Sequence, residues 1–166
     1  MKALKYTNGN LLLNKDVQAI GHQANCQNVF GAGIARSIRE MYPEAYETDT
    51  RCAEAKLNTL GSVSVACISD ERCVALGTNI QLIFNLYGQN LYGKGVRQTN
   101  YDALYNALVS MATELSTTKV GGSLVVGFPY MMGCGLARGS WPIVERLIEV
   151  AFDGYESDVI IVKFTV

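Results

Sequence analysis

Gly21-His22-Gln23-Ala24-Asn25-Cys26-Gln27-Asn28-Val29-Phe30-Gly31-Ala32-Gly33-Ile34-Ala35-Arg36 is the stretch that decides the fold class. An apolar run over 17–24 reads as a strand, a polar turn follows, and a helical period runs from Gly33 to Tyr42, where Pro43 stops it. Strand, glycine turn and helix in that order make the unit of an α/β sheet. Backbone N–H groups then lead into the positive end of a helix, a place that can cradle a phosphate. The same glycines also suit a tight connection that needs only positive φ, and a lone Gly-x-Gly does not separate the two. The third glycine and the distant acid of a dinucleotide fingerprint are missing, as is the Gly-Lys-Ser/Thr of a P-loop.

Working outward, further strands are predicted at about 2–6, 62–68, 73–77, 80–86, 123–127 and 158–164. A second helix is expected over 43–56, with Pro43 in its first turn. Thr99 to Ser116 is the clearest helix, with Thr99 as N-cap and Leu104, Leu108, Met111 and Leu115 at helical spacing. Ser140 to Phe152 is the last, capped by Ser140, with Ile143, Leu147, Ile148 and Ala151 as its apolar stripe. Strands alternating with helices predict an α/β fold with a mixed, largely parallel central sheet covered on both faces. Ligands of such sheets collect at the carboxyl ends of the strands.

Composition narrows the classes. With 166 residues and 49% hydrophobic content, the chain is read as one domain, 1–166. Charged residues make up 17% and the net charge is −1, so no positive field draws in polyanions, and nucleic acid is not expected as a partner. An anionic ligand would have to be held by local backbone N–H groups. The five cysteines are scattered, which predicts neither a zinc site nor a disulfide framework. No signal peptide or membrane span is read, so the expectation is a reduced, cytoplasmic protein with no cofactor and no metal, monomeric, without a membrane partner.

A second glycine-rich loop lies in Gly127-Phe128-Pro129-Tyr130-Met131-Met132-Gly133-Cys134-Gly135-Leu136-Ala137-Arg138-Gly139-Ser140-Trp141. Two such loops could face each other across the sheet end and clamp a pyrophosphate. Cys134 is read as a spacer in preference to a nucleophile, since the only histidine would have to activate it.

The string Asn25, Gly31-Ala32-Gly33-Ile34-Ala35, then Tyr42-Pro43, resembles the first ligand loop of macrodomains, and Pro129, Gly133-Cys134-Gly135-Leu136, Trp141 resembles their second. Similar too are the opening Tyr6-Thr7-Asn8-Gly9-Asn10-Leu11 and the segment Phe84-Asn85-Leu86-Tyr87-Gly88-Gln89 followed by Tyr101, so the likeness covers nearly the whole chain in order. It implies a three-layer α/β/α sandwich that binds ADP-ribose. On that basis the adenine falls near Gly9 and Asn10, the diphosphate between Gly31, Ala32, Gly33 and Ile34 on one side and Gly133, Cys134, Gly135 and Leu136 on the other, and the distal ribose near Asn25.

The departures from the family pattern carry information. Asn10 stands where many macrodomains have an Asp that bonds the adenine amine, and an Asn carbonyl accepts that bond more weakly. Ala137 replaces the Asp that the glutamyl-ADP-ribose hydrolases use, and Lys94, in the loop after the central strand, is read as a solvated charge. His22 occupies the place of a histidine in the stand-alone macrodomains that dephosphorylate ADP-ribose 1″-phosphate. The resemblance therefore implies a phosphatase with His22 and Asn25 as catalytic residues, His22 either attacking phosphorus or deprotonating a water. Bare strand packing is the other role for His22. Three further functions remain open: removal of ADP-ribose from glutamate or aspartate, deacetylation of O-acetyl-ADP-ribose, and noncatalytic reading of ADP-ribose.

Overall fold

The computed structural model describes residues 1–117 and 122–166. Six strands, β1 (Lys5–Gly9), β2 (Ala19–Asn25), β3 (Val63–Cys67), β4 (Leu82–Gln89), β5 (Val126–Pro129) and β6 (Val159–Phe164), form one sheet in the order β1-β6-β5-β2-β4-β3. All neighbours are parallel except β3, which runs antiparallel to β4 at one edge. The described helices are α1 (Gly33–Met41), α2 (Pro43–Glu54), α3 (Asp70–Leu76), α4 (Tyr101–Thr117) and α5 (Trp141–Ala151). None is long and apolar enough to cross a membrane.

Strand alternation sorts the core into two layers. Phe84, Leu86, Phe128 and Ile161 pack with Leu104, Leu108, Val144 and Ile148 of α4 and α5. Ile20, Ala24, Ile83, Tyr87 and Val162 pack on the opposite face with Ile38 of α1 and Ala45 of α2. The result is the α/β/α sandwich with a mixed, largely parallel sheet. Gly21 and Gly127 keep their strands free of a β-carbon where a layer presses close: a Cβ on Gly21 would lie 2.4 Å from the Phe128 ring, and one on Gly127 2.6 Å from Leu11.

Four sequence expectations are corrected. The run 73–77 is the end of α3, because Ser69 caps the Arg72 N–H and Gly77, at φ 68°, closes the helix in the left-handed region. The first strand starts at Lys5, since Lys2 is drawn to α5, its N–H to the Glu149 carbonyl and its Nζ to the Tyr155 carbonyl. Asn100 takes the capping role expected of Thr99, accepting from the Ala103 N–H. In α5, Ser140 stands at the N-cap without a side-chain bond, and Val144 occupies the buried stripe while Ile143 faces solvent.

Candidate functional site

The carboxyl ends of the five parallel strands open into a cavity of about 870 Å³. Asn10 follows β1, and Asn25, Gln89, Pro129 and Phe164 end or adjoin β2, β4, β5 and β6, so every parallel strand delivers a residue to the wall. At the β1–β6 side the wall is apolar and aromatic, from Leu11, Leu12, Tyr130 and Phe164. At the β2–β4 side Gln23, Asn25 and Gln89 make it polar, with Tyr92 of the loop after β4 beside them. Lys94 is the only cation among the described residues that line it, and Glu40, the acid, is paired with Arg36 at 3.1 Å.

Between these two ends stand the glycine loops. Gly31, Ala32, Gly33 and Ile34 line one side; Gly133, Gly135, Leu136 and Ala137 line the other. The N-cap of α1 is Ala32, whose side chain offers no acceptor, so the first N–H groups of the helix meet the cavity uncapped. Gly33 holds φ 56° and Gly133 φ 70°, and a Cβ at Gly133 would lie 2.6 Å from Gln23 Oε1. Gly135 has open space around it.

Asn25 lines the cavity and also shapes its own loop. Its Oδ1 accepts from the Gln27 and Val29 N–H groups at 3.0 and 3.3 Å, and its Nδ2 donates to the Val29 carbonyl at 2.8 Å. Asn10 Oδ1 accepts from the Leu12 N–H at 3.0 Å to cap a 3-10 turn over Leu11–Leu13, and the residue lines the cavity. Gly9 and Cys134 are not part of the wall. Cys134 packs against the α4–α5 core, donates to the Met132 carbonyl, and has its thiol pKa pushed up to about 11 by burial, which keeps it protonated at neutral pH.

His22 is not on the wall either. It is wholly buried on the α1–α2 face, beside its register partner Asn85, with Nε2 2.7 Å from Asn85 Oδ1. Asn85 Nδ2 donates to the Ala45 carbonyl and to Ser64 Oγ, so its Oδ1 is the acceptor and His22 carries its proton on Nε2. Nδ1 is buried with no hydrogen-bond partner among the described residues. Burial lowers the imidazole pKa, opposed by the Asn85 bond and by the charge of Asp49. The His22 ring packs edge-on against Phe30, the residue before Gly31, with centroids 5.3 Å apart.

Sequence reasoning missed Gln23 and Asp49. Gln23 Nε2 donates to Gln89 Oε1 at 2.8 Å and to Thr99 Oγ1 at 2.9 Å, and Thr99 in turn donates to the Gly133 carbonyl at 2.6 Å, joining the two strand ends to the second loop. Asp49 is a wholly buried acid on α2. Only its place in a Thr-Asp-Thr run on an otherwise polar helix was visible, and nothing in that run marks it as inward.

No family model matches the chain. It is 29% identical over 150 residues, 88% of each chain, to an uncharacterized 17.5 kDa protein of the tk-vs intergenic region of Enterobacteria phage T4. Among solved structures it resembles the macrodomain of Thermus aquaticus DarG (TM-score 0.77, 20% identity, 97% of each chain). The macrodomain of Mycobacterium tuberculosis DarG is similar as well (TM-score 0.76, 23% identity, 96% of this chain and 97% of that one). A third match is Thermosipho africanus DarTG in complex with ADP-ribose (TM-score 0.78, 16% identity), where 97% of this chain corresponds to 42% of that one. The fold is therefore macrodomain-like.

Proposed function

We propose that the cavity binds ADP-ribose and that the protein hydrolyses an ADP-ribose derivative, ADP-ribose 1″-phosphate being the substrate to try first. The observation that carries the binding is the order of chemistries along the cavity. Its wall is aromatic at β1 and β6, offers uncapped helix N–H groups between two glycine loops at the middle, and is polar at β2 and β4. Across those five strand ends the wall spans about four inter-strand spacings, roughly 19 Å. That calls for an elongated ligand with a flat heterocycle, an anionic centre and a hydroxyl-rich end, which is the order adenine, diphosphate, distal ribose. The DarTG complex with ADP-ribose supports the same choice.

In the hydrolytic step, water attacks phosphorus, the P–O bond to the distal ribose breaks, a proton of the water ends on the departing ribose oxygen, and ADP-ribose and phosphate leave. Asn25 would position the ribose, Lys94 would neutralise the phosphate, and backbone N–H groups would hold its oxygens. His22 would act from inside the fold, through Phe30. Noncatalytic binding is the second reading, favoured by the burial of the one imidazole in the chain.

The deciding experiment is titration calorimetry with ADP-ribose, followed by incubation with ADP-ribose 1″-phosphate, O-acetyl-ADP-ribose and a glutamate-linked ADP-ribosylated protein. Binding with release of phosphate is the expected result. Binding with no turnover of any of the three would establish the noncatalytic reading. No binding would remove both.

A further inference from the structure

We propose that Asp49, on α2 and outside the cavity, is a positioning residue for the anion-binding loop, acting through Asn28; the proposal rests on the reading that this loop meets the ligand's diphosphate. The argument begins with a backbone feature. Asn28 holds φ 57°, a conformation that non-glycine residues adopt rarely, and it does so three residues before Gly31. What keeps it there is its side chain. Nδ2 donates to Asp49 Oδ2 at 2.7 Å, and Thr50 Oγ1, from the same helix, lies 3.2 Å from Nδ2 and 3.3 Å from Oδ1.

Asp49 also closes a chain of donors that begins at His22. Nε2 of His22 donates to Asn85, Asn85 donates to Ser64, Ser64 Oγ lies 2.9 Å from the Tyr87 hydroxyl, and that hydroxyl donates to Asp49 Oδ1 at 2.5 Å. Since a carboxylate only accepts, the Tyr87 proton must point to Asp49 and the Ser64 proton to Tyr87, which sets every donor in one direction. His22, Asn85, Tyr87 and Asp49 are all wholly buried. One end of this network grips Asn28 through Asp49, and the other packs His22 on Phe30, so the residues between Asn25 and Gly31 are held from both sides. A loop whose N–H groups must point at an anion before it arrives gains affinity from being held that way, because ordering it need not be supplied by the ligand.

The test uses Asn28→Gly, which keeps the positive φ at no steric cost and removes only the half-buried side chain. The expected result is a loss of ADP-ribose affinity of about tenfold together with a lowered thermal midpoint, since the buried Asp49 Oδ2 loses its donor. Adenosine, which has no diphosphate, should bind as before. Amide hydrogen exchange across 27–33 should quicken with no ligand present. Asp49→Asn should restore part of the wild-type behaviour that Asp49→Leu loses, since its Oδ1 can accept from Asn28 while its Nδ2 donates to the Tyr87 oxygen and the Tyr87 proton turns to Ser64. Unchanged exchange and unchanged affinity in Asn28→Gly would overturn the proposal, as would equal losses for adenosine and ADP-ribose. If wild type bound no ADP-ribose, the functional reading would fall on its own, and exchange alone would judge whether Asp49 holds the loop.

Discussion

The two glycine loops line the same cavity but are held by different means. The first, from Asn25 to Gly33, is braced from below by buried polar side chains of β2, β4 and α2, with Asn28 on Asp49 and Phe30 against His22 and Tyr46. The second, from Pro129 to Ser140, is pinned chiefly through its backbone: the Gly139 N–H and Thr99 Oγ1 donate to the Gly133 carbonyl at 2.8 and 2.6 Å, the Gln98 and Thr99 N–H groups meet the Ala137 carbonyl, and Arg138 Nη1 donates to the Gly95 carbonyl at 2.7 Å. Among the described residues its tip has no comparable brace. Gly135 has nothing within 4 Å of its would-be β-carbon, and Leu136 is 51% exposed. One loop is built into the fold and the other is laid over it, so changes near the first should alter stability and binding together, while changes at the tip of the second should alter binding alone.

The largest effect expected is at that tip. Gly135→Glu sets a carboxylate in open space on the cavity wall, without backbone strain, facing the place assigned to the diphosphate. Calorimetry should find ADP-ribose affinity reduced by about a hundredfold or more, with thermal stability unchanged. Wild-type affinity in a folded Gly135→Glu protein would remove the two-loop clamp.

His22→Ala comes next and divides two roles. A group that meets the phosphoryl would, when deleted, lower turnover by roughly two orders of magnitude and leave ADP-ribose affinity alone. A group that holds Phe30 from inside would, when deleted, loosen the loop, cost about 2–4 kcal/mol of stability, and weaken ADP-ribose binding as well. The buried position predicts the second pattern, and urea unfolding with calorimetry on one preparation separates them.

The pH dependence of stability follows from the same side chain. Burial lowers the folded pKa of His22 below 6.5, while in the unfolded chain the imidazole titrates near its ordinary value. Below that value the unfolded state binds the extra proton, so stability is complete above about pH 6.5 and falls as the pH drops toward the folded pKa. The slope should approach about 1.4 kcal/mol per pH unit. His22 is the only histidine, so denaturation midpoints of wild type should fall between pH 7 and 5 while those of His22→Gln stay level.

How much of this was legible in the sequence follows from what each signal depends on. Glycines forced by backbone geometry, such as Gly33 and Gly133, and the prolines and apolar periods that bound α1, α4 and α5, act locally and could be read in order. The strand misread at 73–77 shows the limit, since Cys-Val-Ala-Leu is equally apolar in either state and only the Ser69 cap and Gly77 decide it. His22 stands out in the sequence as the chain's one histidine, but which face of β2 it takes does not. In β2 the alternation of faces turns it under α2 with Asn85 and leaves Gln23 on the wall, and that parity depends on where the strand's register falls against β4. Asp49 could not have been picked out, because its partners Asn28 and Tyr87 come from other elements, and pairing across 21 and 38 residues leaves no trace in spacing.

The smallest effect expected is at Leu136, and it bears most directly on the difference between the loops. In the free protein this side chain is half in solvent at the cavity rim, so truncating it removes no packed contact and Leu136→Ala should leave the unfolding midpoint where it was. When ligand fills the cavity the same side chain is covered, and losing it should forgo up to about 1 kcal/mol of apolar burial, a fall in affinity of roughly threefold to fivefold. The loop that must adjust should also be the one whose exchange responds. Saturating ADP-ribose should slow amide exchange over 133–137 by a larger factor than over 27–33, where the braces already restrict opening before ligand arrives. A larger change in the first loop, or a lowered midpoint in Leu136→Ala, would mean that the second loop is the fixed wall and the first the one that closes.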